Sequence, residues 1–212
     1  MYAAFSLFME RGYDPTSTLA IATRARVSKR DIYALFPHKR DILAVAIAER
    51  ARRMRQPLGL PPARTRAALV RTLAAHGTAI MRELTSPEVT AVYRLVIAES
   101  GHSRDLAEAI NEHGRRPNEA VLGAFLQGAQ AARLLGPGEP RVMVRQFHGL
   151  LLGFLHIGVL LRIDAAPDAA AIAERARSAA EALLTLYPAR RAVRPGEQGR
   201  KNSPPRPEGG EK

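Results

Sequence analysis

S-T-L-A-I-A-T-R-A-R-V-S-K-R-D-I-Y-A-L-F, residues 17–36, reads as two short helices with a three-residue break between them. Leu19, Ile21, Ala22 and Ala25 fall on one inward face of the first helix. Arg26-Val27-Ser28 forms the break, with Val27 placed to plug the angle between the helices. Ser28-Lys29-Arg30-Asp31 is a capping-box pattern, Ser28 at the N-cap and Asp31 three residues on. Ile32, Leu35 and Phe36 turn back toward a core, which leaves Lys29, Arg30, Tyr33 and Ala34 facing outward. Cations exposed near the start of the second helix of such a pair suit it to a major groove.

Outward from this motif, nearly everything periodic is helical. Strand-type alternation is missing, and Ala, Leu and Arg fill the periodic segments. The expected fold is all-α, with helices at about 2–11, 18–25, 29–36, 39–56, 63–84, 87–100, 103–113, 116–134, 139–163 and 168–187. Gly12 ends the first, and Asp14-Pro15-Thr16-Ser17 supplies turn and cap residues for the second. The run Pro57 to Pro62 cannot continue a helix and marks a boundary. This predicts a three-helix head at 1–47 with a linking helix to 56, a larger helical body at 61–187, and a disordered tail at 188–212 rich in Pro, Gly and Arg.

The net charge of +12 is unevenly placed. Residues 1–60 carry eleven Lys/Arg against five Asp/Glu, residues 61–187 fourteen against twelve, and the tail seven against three. A basic head on a nearly neutral body suits a polyanion-binding module joined to a sensing or assembly module. The chain has no cysteine, which excludes disulfides and thiolate metal sites and fits a cytoplasmic protein. It shows no signal peptide, and no nucleophile-elbow, zinc-protease, P-loop or dinucleotide motif, so no enzyme, cofactor or metal is expected. A competing reading is a non-enzymatic helical adaptor whose basic head binds acidic partners.

In the body, Phe147 to Leu161 is apolar almost all round. At fifteen residues it is shorter than the roughly 20 of a membrane span, and it holds two histidines and three glycines between Arg145 and Arg162. It is therefore expected to be covered by protein, one face inward and one against a second subunit, with Gly149, Gly153 and Gly158 permitting close approach. His76, Tyr93, Phe125, His148 and His156 are polar or aromatic residues on otherwise apolar helices, and are candidates to line a ligand cavity. His148 and His156 are poorly spaced for zinc, with no third ligand nearby.

Residues 3–47, with E-R-G-Y at 10–13, T-S at 16–17, I-A at 21–22, A-R-V-S at 25–28, Y-A-L-F at 33–36 and Lys39, resemble the DNA-binding domain of TetR/AcrR-type regulators. P-E-V-T-A-V-Y-R-L-V-I-A-E at 87–99 and G-L-L-L-G at 149–153 resemble a C-terminal domain type common in that family. The resemblance implies a homodimer joined through the last two long helices, a palindromic double-stranded DNA operator, a small-molecule effector and repression of transcription. By position it implies phosphate contacts from Thr16, Ser17, Thr18, Tyr33 and Lys39, with Ser28, Lys29 and Arg30 at the groove. Three departures stand out. Arg26 replaces the usual glycine of the turn, and Leu35 replaces a phosphate-contacting His or Tyr. The chain begins almost at the first helix, so either its start is misassigned or minor-groove contacts from a basic arm are absent.

Overall fold

The computed structural model describes residues 2–99 and 104–189. Among them are ten α-helices and no strand: α1 (Tyr2–Arg11), α2 (Thr18–Ala25), α3 (Lys29–Leu35), α4 (Lys39–Arg55), α5 (Arg66–Leu84), α6 (Pro87–Glu99), α7 (Asp105–Ala109), α8 (Arg116–Ala131), α9 (Pro140–Leu160) and α10 (Ala169–Leu186). The tail read as disordered lies outside the described residues from position 190 onward.

Local chemistry sets the ends of these helices. Ser17, Thr65 and Asp168 each accept the N–H three residues on, at 3.1, 3.1 and 2.8 Å, and so start α2, α5 and α10. Helix α2 stops where Arg26 turns left-handed (φ 55°) and Val27 N–H reaches back to the Ala22 carbonyl at 3.1 Å. The glycine-type turn is therefore kept rather than reshaped, with an arginine bearing a backbone cost on the order of 1 kcal/mol. Arg133 and Arg162 occupy the same left-handed position after α8 and α9.

Two departures from the expected helices bear on function. The break expected between 113 and 116 is instead a π turn, Ile110–Arg115, that joins α7 to α8 without interruption. In a regular α-helix the Pro117 ring would crowd the carbonyl four residues back, and widening this turn relieves it. Helix α9, expected as one helix at about 139–163, is broken inside by Gly153 at φ 46°, ψ −142°. The break frees the carbonyls of Leu151 and Leu152, and Arg175 of α10 donates to both.

The buried side chains form two clusters. One gathers Leu7, Phe8, Ile21, Ile32 and Leu43 from the first four helices, but also Leu106 of α7, with Leu95 and Val96 of α6 packed against it. The other is built on α5, α8, α9 and α10, and takes in Met54 and Leu58 from α4 and the turn after it. The chain boundary near residue 60 is thus not where the cores part: α4 enters the body, and the α6–α7 corner enters the head.

Several expected core residues are outside. Leu19 is 47% exposed, because the buried stripe of α2 runs Thr18–Ile21–Ala22 and Leu19 lies off it. Ala25 ends that helix exposed. Val27 is 46% exposed and does not plug the inter-helix angle; Leu35, in the last turn of a seven-residue helix, is 72% exposed beyond the end of the core. The glycines of α9 also differ from expectation. A Cβ on Gly158 would collide with Asp164 and one on Gly153 with Arg175, both of the same chain, so only Gly149 of the three looks onto open space.

Candidate nucleic-acid interface and ligand cavity

On the head, Lys29 and Arg30 stand in the first turn of α3, both exposed and in no ion pair among the described residues. The Lys29 ammonium lies 5.8 Å from the ring of Tyr33 one turn on, so cation and aromatic share the outward face. Ser28 caps this helix by accepting the Asp31 N–H at 3.0 Å. The reciprocal bond of a capping box appears one helix later, from His38 N–H to Asp41 at 2.8 Å. Arg24, a further cation of the head, is held by Glu10 at 2.7 Å and Ser6 at 3.0 Å, which clamps α2 to α1.

Two of the expected phosphate contacts have their polar atoms committed inside the protein. Thr16 is 2% exposed, and its hydroxyl donates to the Gly12 carbonyl at 2.7 Å. The Lys39 ammonium donates to the carbonyls of Tyr13 and Asp14 at 2.8 and 2.9 Å and sits 4.3 Å from the Tyr13 ring. Both residues fix the α1–α2 turn that presents Ser17. Thr18 is buried on the core stripe, while Ser17 is exposed. At the start of α4 the exposed cation is Arg40, which the sequence reading passed over.

The body holds a cavity of about 550 Å³ between α4, α5, α6, the π turn, α8 and α9. This is within the size range of small-molecule sites. Tyr93 and His148 line it, as does His156; His76 and Phe125 do not. His76 is fully buried beside it, its Nδ1 bonded to the Met54 carbonyl at 2.8 Å and its Nε2 without a partner. Phe125 packs against the core of the body. One wall is α4 itself, through Ile47, Ala51 and Met54, and Gly114 admits Ile47 to 3.1 Å from where its Cβ would stand.

The sequence reading missed this wall. The signal was present in the apolar spacing of Ile47, Ala51 and Met54 continuing past the head. It also missed the clamps on α4: Arg50 to Glu83 at 2.8 Å and Arg55 to Asn118 at 2.9 Å.

Burial governs the titration of the three histidines. It pushes His76 down from 6.5 to about 4, against a raising effect of its bond to Met54. Burial also lowers His148 and His156, and raises the Tyr93 phenol. Each imidazole is thus neutral at neutral pH. Among the described residues no group of three or more His, Asp or Glu side chains gathers as a metal site.

Helix α9 carries Val142, Leu150, Phe154 and Ile157 exposed, Phe154 at 88%, and Leu161 that caps it is exposed as well. The helix is long and apolar enough to cross a membrane by length and composition, but it is also committed to the protein core and the cavity.

Residues 1–51 match the family described as bacterial regulatory proteins, tetR family, and residues 71–189 match the AefR-like transcriptional repressor, C-terminal domain. Among solved structures, the flavonoid-responsive regulator FrrA is 29% identical at a TM-score of 0.67, over 88% of this chain and 93% of that one. A TetR transcriptional regulator from Agrobacterium tumefaciens is 26% identical at 0.69, over 88% and 91%. A TetR family transcriptional regulator from Pseudomonas syringae pv. tomato str. DC3000 is 28% identical at 0.64, over 88% and 93%. No curated protein matches the chain.

Proposed function

The chain belongs to the TetR family of transcriptional regulators, and on that premise we propose that it is a cytoplasmic, non-enzymatic repressor that binds a palindromic operator as a homodimer and responds to a small molecule. The observation that carries this reading is that α4 is shared: its N-terminal half packs in the head and its C-terminal half walls the cavity. A ligand filling the cavity pushes on the helix that positions α3. The similarity to a C-terminal domain described as that of a repressor supports repression. That FrrA is described as flavonoid-responsive supports a small-molecule effector.

On DNA, Lys29 and Arg30 take base edges or phosphates, and Ser17, Ser28 and Tyr33 take phosphates. Thr16, Thr18 and Lys39 hold the turn and the helix from which those groups project. Tyr93 and His148 touch the effector. His76 and Phe125 act through packing, His76 by tying α5 to the end of α4. The exposed stripe on α9 is the dimer seam together with α10, because an apolar face of this extent is otherwise an association hazard.

The seam offers the test. The protein should sediment as a dimer at micromolar concentration, and Phe154→Glu should give a folded monomer that has lost most of its affinity for a specific duplex, since one head makes few contacts. A monomeric unmodified protein that still binds a palindrome specifically would overturn the dimer.

A further inference from the structure

The cavity carries hydrogen-bonding capacity without free charge in its interior. Arg115 is held by Glu119 at 2.9 Å and by Asn111, and Arg50 by Glu83 at 2.8 Å. Glu88 and Arg145, the other charged lining residues, are exposed. Against this neutral background His156 turns a buried Nδ1 toward no hydrogen-bond partner. Among the described residues the Tyr93 hydroxyl and the His148 ring make no hydrogen bond either.

These three groups have a common chemistry. A neutral imidazole has one donor and one acceptor nitrogen, and a phenol both donates and accepts. Their natural complement is a ligand hydroxyl, which also does both. A carboxylate buried among them would lose its water without meeting a buried unpaired cation, because Arg50 and Arg115 are paired and Arg145 is exposed. Shape adds a second constraint. The rings of Tyr93 and His156 meet edge to face with centroids 5.6 Å apart, and Ile47, Val92 and Leu152 supply apolar wall. Flat aromatic walls of this kind favour a flat aromatic guest.

We propose that the cavity takes an uncharged aromatic molecule bearing hydroxyl groups, which Tyr93, His148 and His156 hydrogen-bond. This rests on the reading of the cavity as the effector site. His148 and His156 lie eight residues apart on the inner side of α9 with the Gly153 break between them, so the break sets the angle between the two contacts.

Three molecules of one skeleton test it on the full-length protein by calorimetry: a dihydroxystilbene, the parent stilbene and the stilbene dicarboxylate. The dihydroxystilbene should bind at least tenfold more tightly than either of the others. Tyr93→Phe should weaken it about fivefold, the loss of one net hydrogen bond, and leave the parent within twofold. Equal or tighter binding of the dicarboxylate overturns the proposal, as does a Tyr93→Phe protein that binds the dihydroxystilbene unchanged. Uptake of Nile red, blocked by filling the cavity with Val92→Trp, separates the two levels of failure. If Nile red enters the unmodified protein and the dihydroxystilbene does not, the ligand class is wrong and the cavity reading survives. If neither enters, the cavity reading falls as well.

Discussion

On α3, Lys29, Arg30 and Tyr33 stand together because they fall within one helical turn and a half, and their polar ends face water. In the cavity, Ile47, Tyr93, Gly114 and His148 stand together because four separate segments fold to one place, and the rings of Tyr93 and His148 are partly buried there. The first surface is local and tolerant: a side chain changed there leaves the core untouched. The second is assembled and buried, so a change is felt in stability and in function at once. Unusual backbone is not confined to either region: the head carries it at the exposed turn of Arg26, and the body at Arg133, Arg162 and the Gly153 break in α9.

Gly153 gives the largest expected effect. Its φ of 46° with ψ of −142° suits glycine, and a Cβ there would stand 2.8 Å from the Arg175 guanidinium. Gly153→Val should destabilise the body by about 3 kcal/mol, combining backbone strain with loss of the Arg175 cap, and thermal melts should show it. A melt unchanged by the substitution would mean that the break is dispensable.

Next comes the buried imidazole of His76. Its folded value near 4 lies below the ordinary 6.5, so the unfolded chain takes up the proton first as the medium is acidified. The His76 contribution to stability should be flat above about 6.5, fall as the pH drops toward 4, and level off below, by an amount of up to about 3 kcal/mol. His148 and His156 are shifted in the same direction and add to the slope. His76→Phe should flatten denaturation midpoints measured across that window. An identical slope in the variant would assign the effect elsewhere.

The outline of both regions was legible in the sequence, but at different depth. The helix boundaries, the capping serines and the outward set on α3 follow from spacing within twenty residues, where periodicity is informative. The misplacements of Leu19 and Leu35 arise in helices only eight and seven residues long, where a small change of register moves a residue from core to solvent, and that of Val27 in the break between them. The cavity was legible only as a set of odd residues, of which Tyr93, His148 and His156 line it and His76 and Phe125 do not. Which of them meet depends on contacts between segments far apart in the chain. The Gly153 break depends on Arg175 arriving from α10, and Lys39 is drawn inward by carbonyls 25 and 26 residues earlier.

On the head the expected effects are smaller in stability and divide by role. Arg30→Ala should leave the melt unchanged while costing about 1–3 kcal/mol of discrimination at one position of each half-site. Lys39→Met should weaken binding to every sequence equally and also lower the melting temperature, because it frees the α1–α2 turn. Identical behaviour of the two variants would erase the distinction between contact and support. The smallest effect is a gain: Arg26→Gly should stabilise the head by about 1 kcal/mol, read in a denaturant titration, by relieving a left-handed arginine that makes no ion pair among the described residues.

Binding selection from a pool of random duplexes tests the central claim most directly, because the pool itself supplies the operator sequence. Two identical heads fixed by a two-fold seam should enrich an inverted repeat with half-sites about one helical turn apart, bound by two chains per duplex. Enrichment of no motif, or of a single unrepeated site bound by one chain, would contradict the account.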